Sequence, residues 1–157
     1  MKRFLIEAGS LLILAAIIYF LMQDQGMSGI DARTLEERLI ENGDLKEGKA
    51  DSGLLLRQNL DLEADDYKGW FYYPPAEYMD VDEILVIETE DSSVFPALTE
   101  TVEARLAERK ETFENYGTYQ YQRLCDAKIY NKGNYFVYIV AENSEELLRR
   151  IRKEIEE

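Results

Sequence analysis

The sequence predicts an α+β domain, a small and mainly antiparallel sheet packed against helices, standing behind an N-terminal transmembrane helix. Three observations carry that expectation. An apolar run over residues 4–22 follows Lys2 and Arg3. Two pairs of strand-like runs, rich in aromatic and β-branched residues, occur in "GWFYYPPAEYMDVDEILVIE" and "DAKIYNKGNYFVYIVAEN". Amphipathic helical stretches lie before, between and after those pairs, and the short links within each pair make the paired strands antiparallel.

The first element is the run "FLIEAGSLLILAAIIYFLM", interrupted only by Glu7 and Ser10. Its length of about 19 residues is what a helix needs to cross a hydrocarbon core of about 30 Å. The uninterrupted stretch, residues 11–22, has the length of a signal-peptide core, but no small-x-small cleavage site follows it. No cysteine stands where lipid attachment would need one. Basic residues precede the helix and Asp24 follows it, which places the N-terminus inside and the remainder outside. The chain therefore divides into a signal anchor over residues 1–24 with the bilayer as its partner, a linker over 25–30, and an extracytoplasmic domain over 31–157. The expected location is the cell membrane, crossed once. Glu7 sets a competing expectation. "FLIEAG" resembles the start of type IV pilin-like proteins, although the glycine-bearing processing site of those proteins has no counterpart in "MKR". A glutamate near the membrane edge that stays hydrated is the simpler account.

"GIDARTLEERLIENGD" reads as a helix with both ends marked: Asp31 caps it, Ile30 and Leu35 have staple spacing, and Asn42-Gly43 stops it. Residues 54–60 suggest a short helix and residues 61–69 a turn. "GWFYYP" and "DEILVIETE" are strands separated by the Pro74-Pro75 break, and the second, apolar on both faces, is expected to be central. A long helix follows, with Leu98, Val102, Leu106 and Phe113 on one face, Pro96 in its first turn and Gly117 at its stop. "NKGN" is a hairpin turn with Gly133 available for a positive φ. The last helix has Asn143 and Glu146 at capping-box spacing and buries Leu147, Leu148, Ile151 and Ile155.

The "YMDVDEI" approach to a strand, the long charged helix ending in "FENYG" and the "KGNY" hairpin together resemble the bacterial family catalogued as Domain of Unknown Function 4358. The resemblance spans roughly residues 31–155. It implies a small envelope protein, anchored or lipid-modified, and brings no established activity or catalytic residue. This chain departs from lipid-modified members in lacking an N-terminal cysteine, which favours the transmembrane anchor.

Composition narrows the function classes. Acidic residues outnumber basic ones 32 to 18, for a net charge of −14, and such a surface repels phosphate backbones. Nucleic acid is therefore not expected as a partner. The chain has no histidine, the commonest general base and metal ligand. Cys125 lacks a disulfide partner and an activating base, and a buried small hydrophobe is expected there. "DLEADD" has the alternating carboxylates of a calcium loop, but Asp66 and Tyr72 stand where an EF-hand needs glycine and a bidentate glutamate. A turn before the first strand is expected instead. No phosphate-binding, dinucleotide, zinc or nucleophile-elbow motif is present, and no cofactor or metal is expected.

That leaves the aromatics. By alternation Trp70 and Tyr72 share one side of the first strand, and Phe71 and Tyr73 the other. Trp70 and Tyr72, with Tyr116, Tyr119 and Tyr121 from "YGTYQY", make a candidate binding surface for an envelope protein or a glycan. The alternative is that these rings fill the sheet–helix interface. The functional expectation is a membrane-tethered, non-catalytic envelope domain that binds a protein partner or cell-wall component. A pilin-like assembly subunit, or an envelope hydrolase using carboxylates, are the alternatives.

Overall fold

The computed structural model describes residues 29–46 and 52–156. The expected membrane helix, most of the linker and Glu7 lie outside these residues. Among the described residues no helix is long and apolar enough to cross a membrane. The elements in chain order are α1 (Ala32–Glu41), α2 (Ser52–Leu60), a 3₁₀ turn (Ala64–Asp66), β1 (Gly69–Tyr73), β2 (Glu83–Glu88), a second 3₁₀ turn (Ser92–Val94), α3 (Phe95–Phe113), α4 (Thr118–Cys125), β3 (Lys128–Lys132), β4 (Tyr135–Val140) and α5 (Ser144–Glu156).

The four strands form one sheet in the order β1-β2-β4-β3, and every neighbouring pair is antiparallel. The mixed α+β class and the antiparallel sheet expected from the sequence are what the structure has. Strand order follows apolar content. β4, "YFVYIV", is buried at every position and β2 at all but one, and these two strands hold the centre. β3, "KIYNK", carries a lysine at each end and takes an outer edge, where such residues discourage pairing with other chains.

Helices cover both faces of the sheet. On one face α1 and α5 bury Leu35, Leu39, Leu147 and Ile151 against Phe71, Val86, Val137 and Ile139. On the other, α2, α3 and α4 bury Leu56, Leu98, Val102 and Leu124 against Tyr72, Leu85, Phe136 and Tyr138. Each strand thus packs its even-numbered and odd-numbered side chains into different cores, as the period of two requires. Burial of this kind stabilises each large apolar side chain by about 1.5–3 kcal/mol relative to exposure.

The local signals mostly hold. Asp31 caps α1 by accepting from the Thr34 amide at 2.9 Å, and Gly43 and Gly133 adopt the positive φ their turns need, +76° and +60°. Three details differ from expectation. The long helix α3 ends at Phe113, four residues before the expected stop at Gly117, and Gly117 is the N-cap of a further helix, α4; a Cβ at 117 would stand 2.5 Å from Phe113 Cδ1. Cys125 is exposed rather than buried: α4 turns Leu124 to the core, and the next position rotates outward. At α5, Ser144 closes the first turn by accepting from the Ala141 amide at 2.9 Å, while Glu146 pairs forward with Arg150 at 2.7 Å.

Candidate functional site

β2 begins and ends with a buried glutamate, and five positions apart the two carboxylates must face opposite sides of the sheet. Glu83 points toward α3, where Arg105 Nε reaches both of its oxygens at 2.7 and 2.9 Å. The Tyr72 hydroxyl donates to the same carboxylate and accepts from Asn59 Nδ2 at 3.1 Å, and Arg105 also reaches the Asn59 carbonyl at 3.2 Å. Tyr138 lies beside this group with its hydroxyl buried. Burial, and then the negative charge of Glu83, push the Tyr72 and Tyr138 phenols far above the ordinary tyrosine range. Burial lowers the Arg105 guanidinium, but the bond and charge of Glu83 outweigh it and hold Arg105 above its usual value.

Glu88 serves the other face. Its Oε2 accepts from the Ala32 amide, the first of α1, at 2.9 Å, and its Oε1 takes Lys68 Nζ at 2.6 Å and Asn134 Nδ2 at 3.2 Å. A carboxylate at a helix N-terminus satisfies an orphan amide and complements the helix dipole. Both buried carboxylates are therefore paired with a cation and hydrogen-bonded, on opposite sides of the sheet.

The exposed chemistry lies elsewhere. The β1–β2 connection, residues 74–82, folds on itself: Asp80 accepts from the Ala76 and Asp82 amides, each at 3.0 Å. Side chains from α3 and α4 then pin it. Arg109 donates to the Asp80 carbonyl at 2.5 Å, Gln120 to the Met79 carbonyl at 3.3 Å, and Arg123 pairs with Asp82 at 2.6 Å. Held this way, Tyr78 and Met79 project outward beside the α3–α4 elbow. Tyr116 packs on Phe113 with ring centroids 5.7 Å apart, and Tyr119 lies under the Arg123 guanidinium, 4.4 Å from its ring centre. Desolvation and then the neighbouring Tyr78 hydroxyl raise the pKa of the Tyr116 phenol. The exposures of Tyr78, Met79, Tyr116 and Tyr119 are 73%, 46%, 60% and 57%. Leu54 is the one other exposed large apolar side chain among the described residues.

Of the five aromatics the sequence offered as a surface, the structure leaves Tyr116 and Tyr119 exposed, the first between α3 and α4 and the second on α4. Tyr121, on the same short helix, is half-buried against the sheet, and Tyr72 is buried with its hydroxyl on Glu83. Trp70 is half-buried and lines a separate cleft of about 590 Å³ with Tyr67, Lys68 and Arg33. Tyr78 and Met79 were outside that set. The Pro-Pro break and acidic residues around them mark a loop, and an aromatic in a loop cannot be hidden by strand alternation. "DLEADD" forms the turn before β1, and no group of three or more His, Cys, Asp or Glu among the described residues is placed to hold a metal ion.

Residues 41–141 match the family model described as a domain of unknown function, DUF4358. The chain belongs to the DUF4358 family. The match runs from the end of α1 through β4, so it contains the whole sheet, the Glu83–Arg105 group and all four residues of the exposed face. No curated protein and no solved structure matches the chain. The DUF4358 match thus covers less of α1 and α5 than the motifs suggested, and those two helices cover one face of the sheet.

Proposed function

We propose that this DUF4358 protein is a non-catalytic binding module, tethered to the cell membrane by its apolar N-terminal run and held on the outer side, that docks a protein partner. The observation that carries the reading is the exposure of Tyr78 and Met79 on the pinned β1–β2 connection and of Tyr116 and Tyr119 at the α3–α4 elbow that fastens it. Aromatic and methionine side chains held rigidly at a surface are the usual anchors of protein interfaces. A carboxylate hydrolase finds less support, because Glu83 and Glu88 face opposite sides of the sheet and each is already held by a cation. The acidic chain is poorly suited to anionic wall polymers, which favours a protein over a wall polymer as the occupant.

Photo-crosslinking of the full-length protein in its native envelope tests this. A photoreactive residue placed at Tyr116 or Tyr119 is expected to capture one defined protein, and the same residue at Arg149, exposed on α5 across the sheet, is expected to capture none. Equal capture from Arg149, or capture of glycan alone, would defeat the reading.

A further inference from the structure

The charge around the exposed face points to the chemistry of its partner. Two cations of the chain already lie over rings at this elbow: the Arg109 guanidinium stands 5.1 Å from the ring centre of the buried Phe113, and that of Arg123 4.4 Å from the Tyr119 ring centre. Both arginines are committed to holding the loop, Arg109 through the Asp80 carbonyl and Arg123 through Asp82. On the segments that carry these rings, Glu77, Glu114 and Asp126 are exposed and make no ion pair among the described residues, and Glu142 meets Arg123 only at 3.7 Å. Arg123 is neutralised by Asp82, whereas Arg109, bonded to a backbone carbonyl, keeps its charge; set against that one cation, the exposed carboxylates still leave this edge of the domain net negative. The chain as a whole carries −14, which draws cations toward it and repels anions at long range.

We propose that the Tyr78–Met79–Tyr116–Tyr119 face recognises a basic segment of its protein partner, one that sets lysine or arginine side chains beside apolar ones. This rests on the binding reading above and specifies its partner. The apolar residues of such a segment cover Met79 and the ring edges. Its cations lie over the Tyr78 and Tyr116 rings and within reach of Glu77 and Glu114. A tyrosine face and an unpaired carboxylate together hold a cation better than either alone, because the ring takes a partly desolvated charge that the carboxylate neutralises. A neutral or acidic segment gains only the apolar contact and, when acidic, meets the repulsion of the rim.

The test uses the full-length protein in detergent micelles and three synthetic peptides of equal length, in which leucine alternates with arginine, glutamine or glutamate. Binding is followed by isothermal titration calorimetry at low and at physiological salt. The arginine peptide is expected to bind, more weakly as salt rises, and at least about tenfold more tightly than the other two. The Tyr78→Ser/Tyr116→Ser variant keeps the charge of the protein and is expected to lose that preference about tenfold. The Glu77→Gln/Glu114→Gln variant is expected to lose affinity and part of the salt dependence. Circular dichroism checks that both variants are folded, as exposed positions lead one to expect. Undiminished arginine-peptide binding by the tyrosine variant would overturn the proposal, since attraction to the acidic surface at large would then account for it. Equal binding of the glutamine peptide would overturn it as well. If crosslinks from Tyr116 capture a protein while no peptide preference is found, the docking reading stands and the basic-partner proposal fails.

Discussion

Replacing Arg105 by methionine keeps an apolar stem of similar length on α3 and removes the guanidinium from Glu83. Wild-type Glu83 is 2% exposed and takes two bonds from Arg105, at 2.7 and 2.9 Å, besides the Tyr72 hydroxyl. The variant leaves that carboxylate buried without a cation and frees the Asn59 carbonyl that Arg105 also holds. Removing one member of a buried pair costs about 3–5 kcal/mol, a large part of the roughly 5–15 kcal/mol that stabilises a domain. With a urea dependence of about 1–3 kcal/mol per molar, the unfolding midpoint should fall by roughly 2 M. Trp70, the single tryptophan, sits on β1 against α2 and reports the transition by its fluorescence. The double variant Glu83→Gln/Arg105→Met removes both charges and should regain about half or more of the loss, since a buried pair and its neutral replacement are often close in stability. A loss below about 1 kcal/mol for Arg105→Met, the value of an exposed pair, would refute the reasoning. It would mean that water reaches Glu83 and that α3 does not close over β2.

Two further predictions concern the same core and the elbow beside it. Tyr72, Tyr135 and Tyr138 are buried phenols whose pKa values lie above the ordinary value, for burial first and a neighbouring glutamate second. Their stabilising contribution is complete below about pH 10, where an unfolded tyrosine ionises, and falls by about 4 kcal/mol per pH unit above it, so phenolate absorbance from these three should rise together with loss of circular dichroism; ionisation near pH 10 in the folded protein would contradict their burial. Gly117→Ala forces Phe113 away from a Cβ that would otherwise stand 2.5 Å from its ring, at a cost of about 1–3 kcal/mol by chemical denaturation, and should also weaken partner capture through Tyr116, which packs on that ring.

Most of the fold was legible because its signals are local. The cap at Asp31, the glycine turns at Gly43 and Gly133, the apolar stripe of α3 and the all-apolar β4 each depend on neighbours in the chain. What the sequence left open was set by contacts between distant segments. Alternation correctly divided Trp70 and Tyr72 from Phe71 and Tyr73, but not which pair would be covered, because that depends on where helices land. They land on both faces, so Phe71 and Tyr72 are both buried. Glu83 and Glu88 looked like two acids among 32, and nothing near them in sequence reveals that Arg105 and Lys68 meet them. The separate α4 was hidden for a similar reason: Gly117 reads as a stop, and only the approach of Phe113 explains why a glycine stands between two helices.

The candidate site was legible in part for the same physical reason. Tyr116 and Tyr119 could be picked out because aromatics clustered near a helix end exceed what one helical face can bury. Tyr78 and Met79 are the complementary half, and their role comes from being held still rather than from being apolar. A connection of nine residues between antiparallel strands would ordinarily sample many conformations, and exposed rings on it would lose that freedom on binding. Here Asp80 folds the loop on itself, and three side chains from two helices fasten it at Met79, Asp80 and Asp82. The entropy of ordering the loop is therefore already spent when the domain folds, and a partner that meets Tyr78 and Tyr116 does not have to supply it. The order of the loop also seats Val81 in the core beneath, but that burial does not require Tyr78 and Met79 to project outward, and core packing alone leaves their exposure unaccounted for.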